Sequence, residues 1–154
     1  MMGLLRKVVS TRIQDLIKKN VRVKVVGDRS RFDAQLQKLF KQAEETSENN
    51  TGITAWLCLS YGGRAELVHA AQALAASGEE YTEESFAKHL WTAGMPDPDI
   101  LIRTGGQQRL SNFLPWQSTY SELFFINDYW PAFSEQHLDA VLAEFAARQR
   151  NFGK

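Results

Sequence analysis

Between Asp99 and Phe113 the chain reads DILIRTGGQQRLSNF, an apolar run that breaks into a glycine pair, two arginines and a serine. Arginine suits phosphate, because its planar fork donates paired hydrogen bonds and never loses its charge. Glycines let backbone N–H groups come close to phosphate oxygens. Arg103, Arg109 and Ser111 are therefore candidates for an anion site. Arg64, in the turn Tyr61-Gly62-Gly63-Arg64, offers a further cation. The residues alone leave a plain turn with solvated arginines open as the alternative. Glu122 opens the next apolar run, beside Tyr120. A carboxylate near a diphosphate suits Mg²⁺, which prefers oxygen ligands and keeps several waters; a solvated glutamate is the plainer reading.

The other reactive side chains carry less chemistry. His69, His89 and His137 have neither metal-ligand nor triad spacing and read as structural. Asp97 and Asp99 flank prolines in MPDPD, as turn or cap residues do. The single cysteine, Cys58, sits in AWLCL, where it reads as a small buried hydrophobe, and one cysteine permits no internal disulfide. Trp116, Trp130 and the pair Phe124-Phe125 read as core.

Composition confines any anion site to a local feature. Lys+Arg and Asp+Glu balance at 18 each, so no global field draws nucleic acid or an anionic membrane. With 154 residues, 44% of them hydrophobic, the chain has enough material for one domain, expected over 1–154. No apolar stretch is long enough to span a bilayer, and MMGLLRKVV is too short and interrupted for a secretory signal, so a cytoplasmic protein is expected.

The elements that must position the candidates follow from periodicity. Leu4, Leu5, Val8, Ile13, Leu16 and Ile17 fall near helical spacing and predict a helix to about Asn20. VRVKVVGD (Val21–Asp28) predicts a strand ending in a Gly-Asp turn; Phe32, Leu36, Leu39 and Phe40 mark a helix. A buried strand is expected in Gly52–Gly63, then helices over Ala65–Ala76 and Glu83–Leu90. A third strand is expected over Asp99–Arg103, a short helix capped by Ser111 or Asn112 with Pro115 in its first turn, a fourth strand over Glu122–Ile126 and a closing helix over Ser134–Arg150. The alternation predicts an α/β fold with a mostly parallel sheet flanked by helices. Ligands bind such sheets beyond the carboxyl ends of the strands, where Arg64, Arg103, Arg109 and Ser111 are expected to surround one anion. The first helix has no strand before it, the pattern of the later part of a larger α/β domain.

PDILIRTGGQQRLSNFLPWQSTYSELFF resembles the C-terminal signature of the cis-prenyltransferases, the family typified by undecaprenyl diphosphate synthase. The likeness runs back through VKVVGDRSRF, NNTGIT and YGGRAEL and forward through YWPAF to the end. It implies a Mg²⁺-dependent condensation of isopentenyl diphosphate with an allylic diphosphate such as farnesyl diphosphate, giving Z double bonds. By position, it implies that Arg103, Arg109 and Ser111 grip the isopentenyl diphosphate and that Glu122 helps place the metal. It also implies an apolar tunnel for the prenyl tail, with Val23, Val25 and Ile53 as expected walls, peripheral contact with a membrane lipid product, and a homodimer or heteromer.

Four departures from the family pattern accompany the likeness. No stretch matches the family's D-G-N-G-R-W-A motif, which supplies a Mg²⁺-binding aspartate and the allylic diphosphate cradle. Gln107 stands where relatives usually carry glutamate, Ser60 replaces the asparagine before YGGR, and Asn151 replaces the arginine of an R-x-G motif. The expectation is an incomplete version of the fold that does not turn over alone, with a non-catalytic diphosphate-binding or partner subunit as the alternative.

Overall fold

The computed structural model describes residues 11–148; Leu4, Leu5 and Val8 of the expected first helix, and Asn151, lie outside them. Contacts divide the chain into two compact units, Met1–Met95 and Pro96–Lys154.

In the first unit, helix α1 (11–18) leads into strand β1 (Arg22–Val26), helix α2 (Ala34–Thr46), strand β2 (Thr54–Cys58), helix α3 (Gly63–Ser77) and helix α4 (Glu83–Lys88). β1 and β2 pair in parallel, Arg22 opposite Thr54 and Val26 opposite Cys58. Alternation in β1 aims Val23 and Val25 at one face, where they join Ile13, Leu36, Phe40 and Ala43 in the core. Leu36, Phe40 and Ala43 recur at helical spacing, and the Asp33 carboxylate starts their helix by accepting from the Leu36 N–H at 3.0 Å. The two valines pack under α2, and Ile53 is 75% exposed.

The edge of β1 turned away from β2 is closed by side chains. Val23 N–H donates to Ser47 Oγ at 2.9 Å and Val25 N–H to Glu44 Oε1 at 2.8 Å. Arg29 then pairs with Glu44, donating to its Oε2 at 2.9 Å. A strand edge with its donors satisfied in this way is a poor template for another strand.

The second unit holds β3 (Ile100–Thr104), β4 (Glu122–Ile126) and α5 (Glu135–Ala147). β3 and β4 are also parallel, in register from Ile100–Glu122 to Thr104–Ile126. Phe124 faces the core at 5% exposure beside Val141 of α5, whereas Phe125, on the opposite face, is 36% exposed. The architecture is α/β, with parallel strand pairs and helices, as the alternation of the sequence predicts.

Three expectations change. No helix forms around Ser111–Pro115: Ser111, Asn112 and Leu114 have φ of 48°, 68° and 47°, left-handed values that a right-handed helix cannot contain. Trp130 is not core; it stands 72% exposed in the short turn Trp130–Ala132, its ring stacked 5.5 Å from that of Phe133. The closing helix ends at Ala147, with Ser134 as its cap.

Candidate functional site

β3 delivers Arg103 one residue before its end, and the chain then turns sharply through Gly105 and Gly106, at φ 88° and 69°. Only glycine adopts such values readily, so the pair is needed to reverse direction here. The turn is tied to the exit of β4: Gly105 N–H donates to Asp128 O at 2.8 Å and Gly106 N–H to Ile126 O at 3.0 Å. Both glycine donors are therefore spent on carbonyls. The expected backbone cradle for phosphate is not available from them, and any anion must be held by side chains.

Arg103 draws the loop that follows it into contact. Arg103 Nη1 donates to Ser111 Oγ at 2.9 Å and also to the Arg109 carbonyl. Arg109 Nη1 donates to Gln107 Oε1 at 2.5 Å. The loop thus folds back on the arginine that precedes it, and Arg103, Arg109 and Ser111 form one cluster on an exposed turn. A guanidinium has five N–H donors, so each arginine keeps several for a ligand. Ser111 accepts from Arg103, which leaves its own O–H to donate outward. The cluster combines two permanent cations, a hydroxyl donor and a neutral amide, a set suited to phosphoryl oxygens.

Glu122 is not part of this cluster. In a parallel pair the first residues lie side by side, so Glu122 stands beside Ile100, while Arg103 is level with Phe125, about 10 Å further along the ladder. Its carboxylate meets Arg148, whose Nη1 donates to Oε2 at 2.5 Å, leaving Oε1 without a hydrogen-bond partner among the described residues. Arg148 also pairs with Glu144 and lies 4.2 Å from the Phe124 ring centroid. Those carboxylates hold its guanidinium pKa above the usual value. Among the described residues no group of three or more His, Cys, Asp or Glu side chains comes together to hold a metal. Glu122 Oε1 nonetheless fits Mg²⁺ in donor type, since that ion is commonly bound by one or two carboxylates together with substrate phosphates and water.

The first unit has its own pair of strand-exit turns. Gly27, at φ 121°, passes so close to β2's exit that a Cβ would lie 2.1 Å from Leu59 O. Arg64 is exposed in the first turn of α3, within this unit. Cys58 is half-buried, and burial followed by the charge of Glu66 pushes its thiol up to about 11. The histidines each have a neighbour in the fold: His89 Nε2 meets Glu79 at 3.0 Å, His137 caps α5 and meets Asp128 at 3.1 Å, and the His69 ring lies 5.4 Å from Trp91.

The sequence reading left out three further polar groups. Fully buried Glu66 accepts from Thr92 N–H at 2.9 Å, Thr92 Oγ1 at 2.8 Å and Tyr61 OH at 2.5 Å. Glu44 serves the β1 edge, and Arg148 serves Glu122. For Glu66 a signal existed: an acidic residue inside the apolar stripe of α3.

The family model described as "Putative undecaprenyl diphosphate synthase" matches residues 1–153. An isoprenyl transferase of Rhizobium meliloti is 46% identical over 99% of this chain and 65% of its own length. The ditrans,polycis-undecaprenyl-diphosphate synthase of Micrococcus luteus, named as (2E,6E)-farnesyl-diphosphate specific, is 42% identical over 94% of this chain and 61% of its own. This chain therefore spans somewhat under two thirds of the length of these curated relatives. Among solved structures, a probable undecaprenyl diphosphate synthase from Campylobacter jejuni superposes with a TM-score of 0.91 at 31% identity, covering 99% of this chain and 73% of that one. Lavandulyl diphosphate synthase from Lavandula x intermedia, solved with dimethylallyl diphosphate, gives 0.92 at 33%, covering 99% and 70%. The family match over residues 1–153, with likeness to these enzymes and structures over nearly all of this chain, shows that the chain belongs to the cis-prenyltransferase family.

Proposed function

We propose that the Arg103–Arg109–Ser111 cluster binds the diphosphate of isopentenyl diphosphate for condensation with an allylic diphosphate, giving a Z-polyprenyl diphosphate. The observation that carries this reading is the Arg103 guanidinium bound to Ser111 Oγ and to the Arg109 carbonyl, which gathers both arginines and the serine on one turn beyond the carboxyl end of β3. Arg103 braces the loop through Ser111 and the Arg109 carbonyl, so its remaining N–H groups and those of Arg109 are held ready for phosphoryl oxygens. Ser111 adds a neutral donor. Fixing the diphosphate in this way restricts the five-carbon unit that follows it, which is what a carbon–carbon bond-forming step requires.

Glu122 Oε1 would be this chain's contribution to Mg²⁺, which when bound neutralises diphosphate charge. The allylic partner is proposed to be farnesyl diphosphate, in line with the name of the Micrococcus luteus relative. Each methylene of the growing chain that leaves water contributes about 0.8 kcal/mol. We place the protein in the cytoplasm, as a homodimer or heteromer with peripheral contact to its lipid product; no described helix is long and apolar enough to cross a membrane.

Residues 1–154 by themselves are proposed to bind isopentenyl diphosphate without condensing it. Among the described residues Glu122 is the one carboxylate proposed for the metal, and no group of three metal-ligating side chains gathers there. The same observations favour a second reading, a diphosphate-binding partner subunit of a heteromeric enzyme. Purified chain incubated with farnesyl diphosphate, isopentenyl diphosphate and Mg²⁺ separates these outcomes, with products sought by mass spectrometry. Little or no condensation is expected alone. Robust turnover would overturn the claim of incompetence, and failure to bind isopentenyl diphosphate would overturn both readings.

A further inference from the structure

We infer that Arg148 is a positioning residue for Glu122, fixing its carboxylate so that one oxygen stays turned to a cation; this rests on the metal role proposed above. Three contacts define the guanidinium plane. Nη1 donates to Glu122 Oε2 at 2.5 Å, Nη2 meets Glu144 Oε1, and the central carbon stands 4.2 Å from the centroid of the Phe124 ring. The platform is rigid, because Phe124 is 5% exposed and belongs to the buried side of β4. The Glu122 side chain is only 26% exposed against 60% for Glu144, so its half of the clamp is the less screened by water.

The geometry leaves the two carboxylate oxygens unequal. Oε2 is taken by Arg148, and Oε1 has no hydrogen-bond partner among the described residues. A carboxylate held by a neighbour in this way keeps one orientation, and such supporting contacts matter to metal affinity nearly as much as the ligands themselves. Lysine could not reproduce the arrangement, since one ammonium on a flexible stem lacks both the fork and the stacking plane. A solvent-open cavity lined by Gln108, Leu123, Phe124, Val141, Glu144 and Arg148 lies against the clamp.

The test uses the full chain with isopentenyl diphosphate and Mn²⁺, whose binding is read by electron paramagnetic resonance. Isopentenyl diphosphate affinity in EDTA is measured in parallel by calorimetry. In Arg148→Gln the Mn²⁺ affinity is expected to fall by about tenfold. Binding in EDTA, carried by Arg103 and Arg109, is expected to hold. Arg148→Lys should recover only part of the Mn²⁺ affinity. Glu144→Gln, an exposed change that removes one anchor of the clamp without threatening the fold, should lower it by a smaller factor and serves if Arg148→Gln does not fold. Glu122→Gln should lose Mn²⁺ binding at least as strongly as Arg148→Gln. If Glu122→Gln loses Mn²⁺ while the folded Arg148 and Glu144 variants bind it as the wild type does, the positioning role is wrong and the metal reading stands. Wild-type Mn²⁺ affinity in Glu122→Gln would remove the metal reading and this inference with it.

Discussion

Arg103 Nη1 donates to Ser111 Oγ across 2.9 Å, joining the end of β3 to a residue eight positions later that itself sits at φ 48°. The bond has two consequences. It holds a turn whose backbone would otherwise relax, since left-handed serine costs energy, and it uses the serine oxygen as acceptor, so the O–H is left to donate. Arg103 is thus both brace and ligand.

Arg103→Ala should therefore weaken isopentenyl diphosphate binding more than Arg109→Ala. One charge-assisted contact is worth roughly 1.5–3 kcal/mol, and Arg103→Ala also releases Ser111. Arg103→Lys should restore little, because lysine keeps the charge but not the fork. Calorimetry on the three variants gives the order; equal losses in both alanine variants would mean that the brace is unimportant.

Gln107 sets the charge of the loop. Its amide oxygen receives Arg109 Nη1 at 2.5 Å without adding a negative charge. Gln107→Glu should place an ion pair where the ligand must compete, weakening diphosphate binding by about 0.5–1 kcal/mol at low salt, and by less as salt screens the pair. Tighter binding in the variant would show that the amide does more than hold Arg109.

The buried Glu66 carboxylate joins α3 to Thr92 and Tyr61 through three accepted hydrogen bonds. Glu66→Ala takes the acceptor from all three donors and opens a void in a fully buried position. A loss of about 3–5 kcal/mol is expected in urea unfolding. A loss below about 1 kcal/mol, the net worth of one ordinary hydrogen bond, would mean that this network is not what holds α3 in place.

Cys58 gives a pH-dependent signature. Burial, and then the charge of Glu66, raises its thiol from an ordinary 9.0 to about 11, so folding favours the protonated form. Its contribution to stability is complete below pH 9 and is lost as pH rises toward 11. Alkylation of folded protein should be slow at neutral pH and accelerate over that same interval. Fast modification at neutral pH without unfolding would show that the thiol is more exposed and less shifted than this.

Much of this was legible from pattern. Alternation in Val21–Val26, with the apolar runs Ile100–Ile102 and Leu123–Ile126, marked three strands, and Leu36 and Phe40 marked α2, because burial on one face leaves a period in the sequence. The cluster of Arg103, Arg109 and Ser111 was legible because a tight turn brings near neighbours together. The stretch after Asn112 was misread as a helix: its capping residues and proline fit one, but the left-handed backbone of Ser111, Asn112 and Leu114 excludes it. Glu122 opens β4 as the sequence predicts, but its position level with Ile100 is set by register, which pattern does not give. Its partner Arg148 lies 26 residues away and Glu66 lies 26 from Thr92, separations at which no local period survives.

The most direct measurement is a crystal structure of this chain soaked with isopentenyl diphosphate. Phosphoryl density is expected within hydrogen-bond distance of both Arg103 and Arg109, with the Ser111 hydroxyl donating to it. Density elsewhere on the chain, or those two guanidinium groups turned away from a shared phosphate, would contradict it.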